Sequence, residues 1–286
     1  MLHFLDPQGD EAYLDLTVGC GGHARAVAEK LGPGGQIVGI DHDLEALEIA
    51  RAALEERGPV LLRGSFGELR SLRPSLPVPA FDLVLADLGV SSLQLDEGRR
   101  GFSFRRDGPL DMRMNSERGV SAQEWVATTS VTEMAQVIRE FGEDRLARKI
   151  AEEIDRVRRT RPIETTGELA DIVRSVVPKK RDDTIDPATR TFQAIRIAVN
   201  EEMRALDQLL AHFESWLRPG GRFAIIAYHS LEDRRVKEAF RLRGKEGEFE
   251  VLTAKPVRPT ESEIAANPRA RSARLRVLRR RGGRFA

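Results

Sequence analysis

One cysteine, Cys20, in 286 residues leaves no partner for an internal disulfide, and a chain without disulfides suits a reducing compartment. There is no CxxC pair. The five histidines (3, 23, 42, 212 and 229) show no metal-ligand spacing, so no metal is expected. Long apolar runs are also missing: residues 223–227 are strand-sized and far too short to span a bilayer. The opening Met1-Leu-His-Phe-Leu-Asp6 has no basic segment followed by an apolar stretch, so no signal peptide is read there. A cytoplasmic protein with no membrane partner is expected. Net charge is only +1, which by itself argues neither for nor against a nucleic-acid partner.

What is present is enough apolar material for a core: hydrophobic residues make up 41% and charged residues 32%, far from the disordered regime. The length suits one α/β core with an insertion. Charge is unevenly spread. Residues 267–286 hold eight arginines and no acid, which reads either as a phosphate-binding end or as a solvated tail or edge strand.

Residues 13–18 read as a buried strand, followed by a glycine-rich turn and a helix over 22–31 that Gly32-Pro-Gly-Gly35 stops. Residues 36–40 form a second strand ending in Asp41. Leu44, Leu47, Ala50 and Leu54 then recur at helical spacing. Residues 60–63 and 81–86 are strands three and four, the latter ending in Asp87. Strands alternating with helices predict a doubly wound, mostly parallel α/β sheet.

The alternation stops after Asp87. Residues 88–118 show little periodicity. Val131, Met134, Ile138 and Phe141 then share a helical face, as do Leu146, Ile150, Ile154 and Val157, and Leu169, Ile172, Val173 and Val176. Residues 115–187 are thus expected to form a small inserted helical domain, with 1–114 and 188–286 as a discontinuous core. Asp186-Pro187 looks like a cap and first turn. It opens one long helix that carries Phe192 through Leu217 and ends at Pro219-Gly-Gly221. A fifth strand over 222–228, a helix over 232–243 and strands near 249–253 and 274–279 complete the core.

The strongest chemical signal is Asp15-Leu-Thr-Val-Gly19-Cys-Gly-Gly-His23 after strand one. Glycines let the backbone turn sharply and approach a ligand, and the next helix begins with free N–H groups. Asp41 ends strand two, where a carboxylate can accept both hydroxyls of a ribose. A dinucleotide and S-adenosylmethionine both fit these features. Three details favour the latter. The third glycine of GxGxxG is missing, Asp15 sits close enough to meet a cationic aminoacyl-sulfonium group, and Asp87 ends strand four near the adenine and the reacting methyl. Taken alone, Phe66 reads as an adenine cover or a core residue, and His23 as a ligand or an ordinary helix start.

The blocks Asp87-Leu-Gly-Val-Ser-Ser-Leu-Gln94 and Arg100-Gly-Phe-Ser-Phe-Arg-Arg-Asp-Gly-Pro-Leu-Asp-Met-Arg-Met114 resemble the MraW/RsmH family of bacterial ribosomal RNA methyltransferases. So do Pro187-Ala-Thr-Arg-Thr-Phe-Gln-Ala-Ile-Arg196, His229-Ser-Leu-Glu-Asp-Arg234 and Asn267-Pro-Arg-Ala-Arg-Ser-Ala273. They occur in family order over most of the chain. The resemblance implies a Rossmann-like class I methyltransferase core with an inserted helical substrate-recognition domain. It implies N4-methylation of a cytidine in the decoding region of 16S ribosomal RNA, with S-adenosylmethionine as cofactor, in ribosome maturation. The implied partner is 16S ribosomal RNA or the small subunit, not DNA. By matching motif, the cofactor contacts would be Gly21, Gly22, His23, Asp41, Phe66, Asp87 and Gln94. One departure is that the family's usual His-x-Pro-Val-Leu opening does not precede strand one.

For amine methylation the chemistry asks for alignment and for a hydrogen-bond acceptor on the amine. Asp87 is one candidate catalytic acceptor. His229, after strand five, is another, although it also reads as a cap on the following helix. Phe102 and Phe104, among Arg99, Arg100, Arg105, Arg106 and Arg113, read either as an RNA-stacking loop or as anchors of that loop to the core. The mixed charges of 143–161 read as a solvated face. A nicotinamide-dependent oxidoreductase, a non-catalytic ribosome-assembly protein, and a methyltransferase for DNA or small molecules are the alternatives. The last usually carries Pro-Pro-aromatic where this chain has Leu88-Gly-Val90.

Overall fold

The computed structural model describes residues 1–178 and 186–282. Residues 179–185 of the expected insertion and 283–286 of the arginine-rich end lie outside the described residues. The chain packs as two compact units, Met1–Gly89 with Met203–Ala286, and Val90–Glu202.

The first unit is built on strands β1 (Ala12–Asp15), β2 (Gln36–Asp41), β3 (Val60–Arg63), β4 (Phe81–Asp87), β5 (Leu217–Ala227), β6 (Phe249–Val251) and β7 (Arg274–Arg280). They form one sheet in the order β3-β2-β1-β4-β5-β7-β6. Only β7 runs antiparallel to its neighbours. All four residues of β1 are buried, as are 81 and 83–86 of β4. That is why these strands read as near-continuous apolar runs rather than as alternating ones. Strand order reverses at β1, which lies between β2 and β4. In open α/β sheets the crevice outside the carboxyl ends at such a reversal is where ligands bind. Register places Asp15 beside Leu85 and Gly39, so Asp87 and Asp41 each lie two residues beyond it at the same end of the sheet.

Helix α1 (Gly22–Ala28) follows β1, and α2 (Leu44–Ala53) follows β2 with Asp43 as its cap, accepting the N–H of Glu45. Strand β5 begins earlier than expected. Leu217 pairs with Phe81 before the register shifts to Arg222 opposite Leu83, so Pro219-Gly-Gly221 is a bulge inside the strand. Gly220, at φ 84°, makes that bulge.

The second unit is helical: α3 (Ala122–Thr128), α4 (Val131–Gly142), α5 (Ala147–Arg158), α6 (Thr166–Val176) and α7 (Ala188–Val199). Met134, Ile138, Ile150, Ile154, Leu169, Val173, Phe192 and Ile195 meet in one core. Reciprocal caps, Ser121 with Glu124 and Thr165 with Glu168, start α3 and α6. Asp186 accepts the N–H of Ala188 where α7 begins. The unit takes in residues 90–114 and 188–202 as well as the expected insertion.

The long helix expected from 187 to 217 is two helices. Helix α7 ends at Val199, Glu201 sits at φ 49°, and α8 (Glu202–His212) begins anew. Asn200 breaks the run. Its amide donates to the carbonyls of Met112 and Arg196, and its carbonyl accepts the N–H of Met114.

Of the two readings of Phe102 and Phe104, their contacts display the anchor. Phe102 is 8% exposed within the helical core. Phe104 packs edge-on against Phe192 at 4.7 Å, with the Arg174 guanidinium over its ring. Among their arginine neighbours, Arg100 is buried and donates to the carbonyls of Arg113 and Met114, Arg99 pairs with Glu97, and Arg113 with Asp111, while Arg105 and Arg106 are exposed. The mixed charges of α5 form a laced surface, Arg148 with Glu152, Arg156 with Glu153, and Arg158 and Arg159 with Asp155. No helix among the described residues is long and apolar enough to cross a membrane.

Candidate functional site

The turn after β1 is held from several sides. Val18 donates to Ile40 and Gly21 to Val18 through the backbone, and the N–H of Gly19 bonds Asp41 Oδ2 at 2.8 Å. Gly19 and Gly21 sit at φ 50° and 83°, left-handed conformations that side chains disfavour. A Cβ on Gly21 would also meet Cα of Ala50 at 3.3 Å, whereas one on Gly22 would meet nothing within 4 Å. Gly21 serves the fold. Gly22 leaves open space at the start of α1, a helix whose N-terminus has no side-chain cap and so offers N–H groups to an anion or a polar ligand.

Two carboxylates and an imidazole gather at the ends of β1 and β4. Asp15 is 1% exposed, and burial pushes its carboxyl up to about 6. Tyr13 donates its hydroxyl to Asp15 Oδ2 at 2.7 Å, and the N–H of Thr17 reaches Oδ1 at 3.2 Å. His23 donates from Nε2 to Asp87 Oδ2 at 3.2 Å, and that hydrogen bond raises the imidazole above its ordinary value against the opposing effect of burial. The backbone N–H of Asp87 bonds Thr17 Oγ1 at 2.7 Å. The other oxygen, Oδ1, is buried with no hydrogen-bond partner. A buried acceptor without a donor costs about 1–3 kcal/mol, and that cost is recovered when a ligand, or the neighbouring Tyr228 hydroxyl, supplies one. Tyr228 lies beside it. Burial first, and then the Asp87 carboxylate, raise its phenol well above the ordinary value.

Asp41 ends β2 next to Arg63 of β3. Its oxygens accept from Gly19 and Asp43, and burial raises its carboxyl. Each oxygen retains a second lone pair for a ribose hydroxyl. Phe66 begins a short helical turn three residues beyond Arg63. It is half-buried and borders a cavity of about 170 Å³ with Gln208, His212 and Trp216.

Gln94 belongs to the helical unit. There it closes a reciprocal cap with Ser91 at the short helix Ser92–Asp96 and is 4% exposed. His229 follows Ile226, the register partner of Asp87, by three residues. It caps α9 (Ser230–Lys245): Nδ1 accepts the N–H of Glu232 at 3.4 Å, while Glu232 Oε2 accepts the N–H groups of Tyr228 and His229. The cap reading of His229 is therefore the one its contacts display.

Sequence reasoning missed Tyr13, Thr17 and Tyr228. Tyr13 was within reach, since residues two apart in a strand face the same side. Thr17 and Tyr228 act through Asp87, which is remote from them in sequence. Among the described residues no group of three or more His, Cys, Asp or Glu side chains is placed to hold a metal ion.

A glycine turn, an acid at the end of β2 and a polar cluster around Asp87 thus gather at a strand-order reversal, the place where open α/β sheets bind nucleotides. Comparison with protein families matches residues 1–281 to the MraW methylase family. The chain is 46% identical over 298 residues to the "Ribosomal RNA small subunit methyltransferase H" of Syntrophotalea carbinolica, covering 98% of this chain and 95% of that one. The protein of that name from Nitrosomonas europaea is 45% identical over 293 residues, at 96% and 92% coverage. That from Cyanothece sp. is 47% identical over 272 residues, at 94% and 87%. With the match running nearly end to end, the chain belongs to the MraW methylase family.

Proposed function

We propose that this chain methylates the exocyclic N4 of a cytidine in small-subunit (16S) ribosomal RNA, using S-adenosylmethionine as donor. The methyltransferase class follows from family membership, and the ribosomal substrate from the names of relatives matched along most of their length. The observation that carries the chemistry is Asp87 Oδ1, a buried acceptor with no donor at the end of β4.

The residues fit the donor. In this reading Asp41 accepts ribose hydroxyls. Gly22 and the uncapped start of α1 admit close approach of the aminoacyl part, and Asp15, ionised above pH of about 6, meets its positive charge. When bound, S-adenosylmethionine supplies an electrophilic methyl on a sulfonium. The cytosine amine is a poor nucleophile because its lone pair is delocalised into the ring. In this reading Asp87 accepts an N–H of that amine through Oδ1, which localises the lone pair. His23 holds Oδ2 and so fixes the plane of the carboxylate. The two oxygens thus have separate tasks. Asp87 rather than His229 is given the acceptor role, because His229 Nδ1 already accepts the N–H of Glu232, so that Nε2, 3.2 Å from Glu232 Oε1, carries the ring proton and cannot accept one. Phe66 over the adenine, and a cofactor contact from Gln94, follow from the family motif. Residues 115–187 are proposed to recognise the RNA, whose target base must be unstacked to enter such a pocket.

A calorimetric titration with S-adenosylhomocysteine tests the pocket: one site per chain is expected, with affinity reduced in Asp41→Ala. No heat from folded protein would refute the reading, and retention of nicotinamide cofactor instead would favour an oxidoreductase.

A further inference from the structure

A groove of about 380 Å³ runs between the second half of α9 and the edge strand β6. Its floor is apolar, with Phe240 and Phe249 each 1% exposed. Gly244 brings helix and strand together, since a Cβ there would lie 2.9 Å from Cγ2 of Val251. A glycine inside a helix costs about 1 kcal/mol relative to alanine, so this close approach is retained against a local preference.

Four exposed cations line the groove: Lys237, Arg241, Lys245 and Arg281. Three of them stand at i, i+4 and i+8, so they share one face of α9 at steps of about 6 Å. None of the four has an acidic side chain in ion-pair range among the described residues. Their neighbours differ in this respect. Arg235 pairs with Asp207, Arg243 with Glu214 and Glu246, Arg279 with Glu250 and Arg280 with Glu248. Asp233, one turn before Lys237, is held by Arg274 and Arg276. Like charges four apart destabilise a helix by roughly 0.2–0.5 kcal/mol per pair, and the one acid that also lines the groove, Glu250, is paired with Arg279.

We infer that this groove binds the phosphate backbone of the RNA substrate, as an anchoring site separate from the methyl-transfer pocket. The regular steps of positive charge suit a partner whose negative charge also recurs along a strand. The site is remote from the chemistry: β6 is the outermost strand, and Glu250 pairs with Arg279, itself opposite Arg222 midway along β5, whereas the pocket lies at the carboxyl ends of the parallel strands. The inference rests on the reading of the substrate as RNA.

The test is a triple variant, Lys237→Gln with Arg241→Gln and Lys245→Gln, titrated with deproteinised small-subunit RNA and with a single-stranded oligoribonucleotide across a salt series. The slope of log affinity against log salt should become shallower by about 2–3, roughly 0.7–0.9 for each phosphate contact removed. KM for RNA should rise with kcat little changed. Cofactor affinity should stay the same, and the melting temperature should not fall, because repulsion has been removed. Arginine in place of Lys237 and Lys245 should keep the RNA affinity. A triple variant with unchanged affinity and slope overturns the inference. So does a loss seen only with intact subunits, which would mark a protein contact. A parent protein that transfers no methyl to RNA would sink the functional reading first. A methylating parent with an indifferent triple variant sinks this inference alone.

Discussion

His23 Nε2 lies 3.2 Å from Asp87 Oδ2, joining the glycine turn after β1 to the acid that ends β4, 64 positions away, and leaving Asp87 Oδ1 buried without a partner. The pair divides one carboxylate into a held oxygen and an available one. Asp87→Ala should therefore lower methyl transfer by about 10²–10⁴-fold, the usual worth of a positioned proton acceptor, with the circular dichroism spectrum unchanged. His23→Ala should cost less, because Oδ1 survives and only its orientation is lost. Single-turnover rates on the same RNA check both.

Under the proposed function, the charge state of Asp15 should set a pH limit on donor binding. Burial raises this carboxyl from 3.8 to about 6. A raised acid retains its proton in the folded state, so its contribution to stability falls as pH rises from 3.8 to about 6 and is flat above. Donor affinity has the opposite sense: it should drop as pH falls below about 6, where Asp15 loses the charge that meets the cationic donor. His23 is raised too. Its stabilisation is complete below its ordinary 6.5 and is lost as pH climbs through the raised value. Calorimetry with S-adenosylmethionine on either side of pH 6 should show the loss of affinity in the parent and none in Asp15→Asn.

Gly21 and Gly22 are adjacent yet should respond differently to the same change. Gly21→Ala forces a side chain into φ 83° and against Ala50, at a cost of about 1–2 kcal/mol, so the melting temperature should fall. Gly22→Ala meets nothing within 4 Å. It should leave the melting temperature in place and weaken donor binding, since its methyl enters the space the ligand needs. Thermal melts paired with titrations separate the two effects.

His229 should behave as a cap. His229→Ala is expected to cost about 1 kcal/mol of stability and to lower kcat/KM by less than tenfold. His229→Asn should restore the stability. A rate loss as large as that of Asp87→Ala, with stability intact, would give the ring a catalytic role instead.

Much of this fold was legible because its signals are local. The runs 13–18, 36–40, 60–63 and 81–86 are dominated by apolar residues, as strands of a covered parallel sheet are, and Gly32-Pro-Gly-Gly35 punctuates them. Asp41 and Asp87 stood out because each closes such a run. What escaped notice depends on distant partners. The apolar spacing continues smoothly through Val199 and Met203, and the break at Asn200 arises from its bonds to Met112 and Met114, more than eighty positions away. Phe102 and Phe104 among arginines carry the same residue types whether they stack on bases or anchor a loop, and only Phe192 and the helical core decide between them. The arginines of 274–280 likewise read as a tail or an edge. The sheet instead places them in β7, between β5 and β6, with Asp233, Glu248 and Glu250 as partners.

The most direct test of the account is to incubate the protein with methyl-labelled S-adenosylmethionine and small ribosomal subunits, then to locate the label. N4-methylcytidine at a single position, absent with Asp87→Ala, is the predicted result. Label on a ring carbon or a ribose, or no label in RNA with either intact subunits or deproteinised RNA, would contradict it.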